Sequence, residues 1–322
     1  MPSGTRRFIL RRLVYVIPTL LGILTITFLL SRLSPGDPIR LVTFGSDLTS
    51  AEIEDIRRAY GLDRPLWEQY IRFLADAARL DFGQSILYHQ SATSLLFARL
   101  PNTVMLAVAG LFWQLVLGVP LGIVAALNRG KLVDQAVRFF STVGHAVPDF
   151  WMGLLLIILF AVHLRVMPSQ GVLTIGRDQW DLADRLRHIL MPSLVLAFSG
   201  IAFYARLLRT ETLDVIRQDY IRTAEAKGLP QRVVISVHAL RNALIPVVTA
   251  LGGVLAALVS GALVIENVFT WPGLGQFTFQ SAIAKDYPVV MAGVFISSTL
   301  LVVSYLLRDV AYALVDPRIS HR

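Results

Sequence analysis

Six histidines are the first candidates for chemistry in this chain: His89, His145, His163, His188, His238 and His321. None stands in an H-E-x-x-H pair, where two imidazoles on one helix face bind zinc, and no G-x-S-x-G nucleophile elbow is present. His145 and His163 lie 18 residues apart on one expected helix. They share a face there, but about 27 Å of helix separates them, too much for one ion. The chain has no cysteine, which excludes disulfides and thiolate metal sites. A P-loop needs G-x-x-x-x-G-K-[ST] so that backbone N–H groups cradle phosphate. Gly130-Lys131 is followed by Leu132, and Ala125 stands where the first glycine belongs. The motif fails at both ends, so energy for any work must come from a partner or an ion gradient. Asp149, just after Pro148, is the one plausible acid inside a long apolar run. Ion-driven carriers place such groups near the bilayer midplane and show internal repeats. Asp149 is expected nearer one end of its span, snorkelling to the interface, and no repeat between the halves is evident.

What remains is a segment shaped to be held by another protein. Asp219 can cap a helix whose first turn contains Tyr220. Gly228 sits where a left-handed residue would end that helix, and Pro230 restarts the chain. The expected unit is a two-turn helix, a sharp break, and a second helix over about Pro230–Asn242. Such a knob fits a groove on a cytoplasmic partner; an ordinary surface hairpin is the alternative.

These residues hang on elements that cross a membrane. Hydrophobic residues make up 55% of the chain and charged ones 16%, where a soluble domain carries about 45–50% and 25%. A bilayer core needs about 20 apolar helical residues. Six runs qualify: 13–30, 103–127, 139–164, 189–208, 244–265 and 288–307. The fold class is therefore all-α membrane protein with about six transmembrane helices. Thr5-Arg6-Arg7-Phe8 faintly resembles a twin-arginine signal, but the first run is too long for a signal core and lacks an A-x-A-like site. It reads as an uncleaved anchor. The regions are 1–30 (tail and first span), 31–102 (extracytoplasmic) and 103–322 (five further spans with the cytoplasmic loop 206–243).

Lysine and arginine set the orientation. With the N-terminus inside, short cytoplasmic pieces hold 17 basic residues against 5 in the short outside loops. Both termini are expected in the cytoplasm. The net charge of +8 is then topological, and its dispersal excludes nucleic-acid binding.

In the long outside segment, Thr49-Ser50-Ala51-Glu52 has capping-box spacing and Gly61 is a stop, giving a helix over about Ser50–Tyr60. Pro35-Gly36-Asp37-Pro38 signals a turn. Pro65 suits a first helical position. Leu66, Tyr70, Phe73, Leu74 and Ala77 then recur on one face, giving an amphipathic helix over about Arg64–Leu80. It lies on the membrane surface or packs on the bundle, as a partner contact or as a cap. Pro18, Pro120, Pro148, Pro192 and Pro246 mark candidate kinks. Gly252, Gly253 and Gly261 allow close helix packing.

The stretch DYIRTAEAKGLPQRVVISVHALRNALIPVVT at 219–249 resembles the cytoplasmic loop of binding-protein-dependent ABC importer permeases, in particular the dipeptide/oligopeptide branch. The general family pattern is Glu-Ala-Ala, three residues, Gly, nine residues and Ile-x-Leu-Pro. Aligned on Gly228, its first three positions are Arg222, Thr223 and Ala224. His238 and Leu240-Arg241 replace the later ones, departures familiar in the peptide branch. Further marks are RRFILRRL at 6–13, SPGDPIR at 34–40, YGLDRPLWEQYIRFL at 60–74, RLPNT at 99–103, GVPLGIVAAL at 118–127, FTWPGLGQ at 269–276, DYPVV at 286–290 and VDPRI at 315–319. With its long first outside loop, the chain resembles the B-type subunit.

The resemblance implies a multi-pass protein of a prokaryotic cytoplasmic (inner) membrane with the type I importer fold. It implies a heterodimer with a second related permease, two cytoplasmic ATPase subunits that carry ATP and magnesium, and an extracytoplasmic substrate-binding protein. This chain would bind no cofactor, would not be an enzyme, and would pass peptides by alternating access among membrane lipids. Asp219, Tyr220, Arg222, Thr223, Ala224, Glu225, Ala226, Lys227 and Gly228 would form the ATPase-coupling loop. Trp271, Pro272, Gly273 and Gly275 would form an outer gate or binding-protein contact, with an interfacial tryptophan anchor as the alternative. An ion-driven secondary transporter, an intramembrane enzyme and a purely structural subunit are the competing readings.

Overall fold

A computed structural model describes residues 3–33, 49–59, 61–178, 181–247, 250 and 262–315. Every named element among them is a helix. In chain order they are α1 (Ser3–Leu33), α2 (Ser50–Ala59), α3 (Leu66–Ala78), α4 (Ala92–Phe97), α5 (Leu100–Leu127) and α6 (Leu132–Ala146). Next come α7 (Asp149–Leu156), which continues as a π-helix over Ile157–His163, α8 (Leu182–Ile216) and α9 (Asp219–Ala226). Then follow α10 (Gln231–Val233), a π-helix over Val234–Ala239, α11 (Leu240–Ala243), α12 (Leu274–Ile283) and α13 (Tyr287–Val315).

Four stretches, within α1, across α4–α5, and within α8 and α13, are long and apolar enough to cross a membrane. A fifth crossing is α6 with α7, bent by 104°. The expected third span was one continuous helix over 139–164. The break falls at Val147-Pro148, whose residues are extended (ψ 123° and 135°). Proline disfavours the α conformation for the residue before it; Val147 is extended here, and the run splits there. His145 and His163 consequently stand on two helices at an angle, not on one face. Pro18, Pro120 and Pro192 lie inside continuous helices. Of the expected fifth span, residues 245–247, 250 and 262–265 are helical. Gly252, Gly253 and Gly261 lie outside the described residues, as does the Pro35–Pro38 turn.

The centre of the bundle is the α5–α8 pair. A Cβ on Gly118 would stand 2.9 Å from Tyr204 Cβ, and one on Gly122 would stand 2.7 Å from the Ala205 carbonyl. The contacts advance together along both chains, so α5 and α8 run parallel. Glycines four residues apart leave a groove that admits a neighbouring backbone. α6 returns antiparallel along α8, with Gly144 against Ala202 and Asp134 against Arg209. α1 pairs with α13: Arg12 Nε lies 3.0 Å from Asp309 Oδ2, and Leu24 shares a core with Ile296.

The local expectations for the first loop hold. Thr49 N–H donates to Glu52 Oε2 (2.7 Å), and Glu52 N–H donates back to Thr49 Oγ1 (3.4 Å), a reciprocal capping box. These bonds hold the Glu52 carboxyl below its ordinary pKa, the Thr49 amide being the larger cause. Gly61 adopts φ +64° and ends the turn. α3 is two residues shorter at each end than the expected Arg64–Leu80, and Leu66, expected on its inward face, is exposed as its first residue. Pro65 is its N-cap, with ψ 144°, and not its first helical residue.

Candidate functional site

Two constellations stand at opposite ends of the bundle. At one end α9 is a short helix packed against the end of α8 and the π-helix over Val234–Ala239. Its N-cap is Gln218, extended and without a side-chain bond. The expected cap, Asp219, is already the first helical residue. There its charge still favours the helix N-terminus, and its Oδ1 pairs with Arg222 Nη1 at 3.4 Å. Both side chains are exposed, so the pair contributes little. Gly228 adopts φ +74° after the helix end. Its N–H donates to the Glu225 carbonyl (2.9 Å), closing the last turn. The expected second helix over Pro230–Asn242 is present as α10, π-helix and α11. The π-turn was not legible from spacing.

One face of α9 is anchored. Ile221 and Ala224 are buried against Val234, Ala239, Val215 and Ile216. Tyr220 Oη accepts from Asn242 Nδ2 (2.8 Å), tying α9 to α11. The other face is open: Arg222, Thr223, Glu225, Ala226, Lys227 and Gly228 are all exposed. Leu229, Val233 and Val237 add exposed apolar surface beside them. The knob is thus fixed from within and free to meet a partner from without. It joins the bundle beside a buried ion pair. Asp134 of α6 accepts two bonds from Arg209 of α8 and one from the Gly130 N–H (2.9 Å).

At the other end, the segments 99–103 and 269–276 close on each other. Trp271 is fully buried. Its Nε1–H donates to the Asn102 carbonyl (3.0 Å), while Asn102 Nδ2 donates to the Pro272 carbonyl (2.9 Å). Burial excludes the interfacial tryptophan anchor. Gly273 and Gly275 lie against a residue that the sequence reading missed, Glu266. A Cβ at Gly273 would stand 2.1 Å from Glu266 Oε1, and one at Gly275 would stand 3.0 Å from Oε2. Glu266 is fully buried at the end of the fifth apolar run. It accepts from Thr103 Oγ1 (2.6 Å) and from Gln276 N–H (2.9 Å). Thr103 Oγ1 in turn accepts from Leu274 N–H (2.8 Å). The carboxylate and the threonine together satisfy the free N–H groups of α12, which no side chain at its N-cap Gly273 can reach. The signal was available: an acid at the end of an apolar run, three residues before the FTWPGLGQ segment. Trp271, Pro272, Gly273 and Gly275 therefore form a closed knot around a buried acid.

A second buried acid follows the far end of α12. Asp286, which opens the DYPVV segment, accepts from Ser85 Oγ (2.5 Å) and from Ile86 N–H (3.2 Å). It pins the loop before α4 onto the start of α13. Arg99 stacks over the Phe277 ring at 3.5 Å, joining the α4–α5 junction to α12. His188, buried on α8, bonds the Gly171 carbonyl (3.0 Å) and so fastens the loop before it.

Among the described residues no group of three or more His, Asp or Glu side chains is placed to hold a metal ion.

Residues 118–321 match the family described as "Binding-protein-dependent transport system inner membrane component". Residues 5–107 match that family's N-terminal companion. An oligopeptide transport system permease protein, AppB, of Bacillus subtilis is 40% identical over 98% of this chain and 99% of its own length. A di/tripeptide transport system permease protein, DppB, of Pseudomonas aeruginosa is 36% identical, and the dipeptide transport system permease protein DppB of Escherichia coli is 34% identical. Each match covers 98% of this chain and 99% of the relative. A solved chain of the MetNI methionine ABC transporter is 20% identical with a TM-score of 0.48, over 71% of this chain and 97% of its own. With a buried inner face holding a short exposed helix at one end, a closed knot at the other, and full-length relatives at this identity, the chain belongs to the binding-protein-dependent transport system inner membrane component family.

Proposed function

We propose that this chain is one permease subunit of an ATP-driven importer that takes up di- or oligopeptides delivered by an extracytoplasmic binding protein. The single observation that carries the reading is α9. Ile221 and Ala224 lock it to the bundle while Arg222, Thr223, Glu225, Ala226 and Lys227 face outward. A rigid exposed helix of that kind transmits force from a cytoplasmic ATPase into α8 and the helix that follows α11. Asp219, Tyr220 and Gly228 set its start, its tie to α11 and its stop.

In this reading both termini and α9 are cytoplasmic. A second related permease completes the pathway, and two ATPase subunits bind ATP and magnesium below. The chain binds no cofactor and has no ATPase site, in keeping with the failed Gly130-Lys131 motif. Names of the relatives support peptides as the substrate class. The closed knot around Glu266 supports a rigid outer support for α12 in place of a loose gate loop. The broken third span is a feature that ion-driven carriers also use, but among the described residues no charged side chain pairs with Asp149 to make an ion site.

The test is uptake of labelled di- and oligopeptides by liposomes containing the complete complex and the binding protein. Uptake that follows ATP, without any ion gradient, is the expected result. Uptake driven by a proton or sodium gradient, indifferent to ATP, would sink the proposal.

A further inference from the structure

α3 has more apolar surface than the bundle covers. At about 100° per residue, Tyr70, Phe73, Leu74 and Ala77 share one arc, and these pack inward. Tyr70 Oη lies 2.6 Å from Thr25 Oγ1, and Phe73 stacks on Phe28 at 5.6 Å. Trp67, Ile71, Ala75 and Ala78 form a second apolar arc beside the first. All four are exposed, Trp67 by 65% and Ile71 by 57%. The remaining arc is polar: Glu68, Gln69, Arg72 and Asp76. Arg64, Glu68 and Arg72 form a charge chain along it.

The height of this helix is fixed by α1. Its hydrogen bond and ring contacts with α1 fall on Thr25 and Phe28. The apolar run of α1 ends at Leu30, so that level lies about 3–8 Å inside the end of the run. The exposed side chains of α1 at the same level, Ile26, Leu29 and Leu30, are apolar too. The second arc of α3 thus continues a surface that a membrane-spanning helix turns toward lipid.

We propose that α3 is an interfacial helix, with Trp67, Ile71 and Ala75 immersed in the headgroup–acyl boundary at the C-terminal end of α1. The occupant of the exposed arc is phospholipid. A tryptophan at the boundary, an apolar arc toward the acyl chains and a separate charged arc toward water are what such a helix needs. Embedding of about 5–10 Å is typical, and it matches the level set by Thr25 and Phe28. The helix then anchors the outer segment at a fixed height above the bilayer. The inference holds for both orientations of the chain and does not depend on the transported solute.

The native chain has no cysteine, which makes depth measurable. Single cysteines at Trp67→Cys, Ile71→Cys, Ala75→Cys and Asp76→Cys are spin-labelled in the full chain, within its assembled complex, in nanodiscs of phosphatidylethanolamine and phosphatidylglycerol. Cysteines of the other subunits are replaced by serine. Labels at 67, 71 and 75 should collide more with dissolved oxygen than with a water-soluble nickel chelate, and the label at 76 should show the reverse. If the three labels match the one at 76, the arc faces water. If they collide with neither reagent, protein covers it. Both results overturn the proposal, and three positions guard against one variant failing to assemble.

Discussion

Arg209 holds Asp134 with two parallel hydrogen bonds, Nε to Oδ1 at 2.5 Å and Nη2 to Oδ2 at 2.9 Å. Asp134 is almost wholly buried and Arg209 is one-fifth exposed. The pair fastens α6 to α8 at the end where α9 sits. Two-pronged pairing fixes angle as well as distance.

Removing one partner should leave a buried charge uncompensated. Asp134→Asn or Arg209→Met is expected to cost about 3–5 kcal/mol, read as a lower thermal midpoint of the purified complex. The exchange of both residues, Asp134→Arg with Arg209→Asp, should recover part of that loss. Equal midpoints for single variants and wild type would show that the pair does not fasten α6.

Gly118 and Gly122 let α8 approach α5. Gly122→Ala should strain a packed interface by about 1–3 kcal/mol, because its new methyl meets backbone rather than a flexible tip. Gly22 on α1 has nothing within 4 Å of a built Cβ. Gly22→Ala should leave stability unchanged or raise it by up to about 1 kcal/mol. Thermal unfolding of the two variants side by side gives the comparison, and equal loss at both would contradict parallel close packing.

Glu266 accepts where a glutamine would have to donate. Glu266→Gln turns one acceptor into a donor facing Thr103 Oγ1 or the Gln276 N–H, at about 1–3 kcal/mol. Thr103→Val should weaken the same knot. The double variant should lose less than the sum of the singles, since the residues share one bond. Additive losses would separate Glu266 from Thr103.

Gly228 is left-handed at φ +74°. Gly228→Val places a β-branched residue there, at a cost of at least about 1–2 kcal/mol. The helix stop should loosen while α9 stays packed through Ile221. ATP hydrolysis should then continue with little peptide uptake. A wild-type ratio of uptake to hydrolysis would remove the role assigned to this turn.

Reporter fusions after Arg138 and Lys227 should mark cytoplasm, and one after Asp181 should mark the exterior. A reversal at any of the three would invert or break the topology on which α9's role depends.

Features set by neighbours in sequence were legible. The Thr49–Glu52 box, the Gly61 stop, the Gly228 turn and the inward face of α3 from Tyr70 to Ala77, though not Leu66, each depend on residues within a few positions. The start of α9 was misplaced by one residue because Gln218, a poor cap, occupies the cap position and Asp219 follows it. Long-range relations were not legible. Glu266 meets Thr103 across 163 residues, and Asp134 meets Arg209 across 75. No spacing rule predicts such pairs. Pro148 was recognised as a candidate kink, but the same residue type at 120 and 192 leaves its helix unbroken. Neighbouring packing decides between those outcomes, and composition does not carry it.

α9 is proposed to meet an ATPase, and a cysteine cross-link tests that contact directly. Ala226 is exposed at the end of α9, and the chain offers a cysteine-free background. Ala226→Cys would be scanned against single cysteines in the groove of the candidate ATPase, with and without ATP. A specific cross-link whose yield changes with nucleotide is the expected result. No cross-link at any groove position, in a complex shown to be folded and assembled, would contradict it.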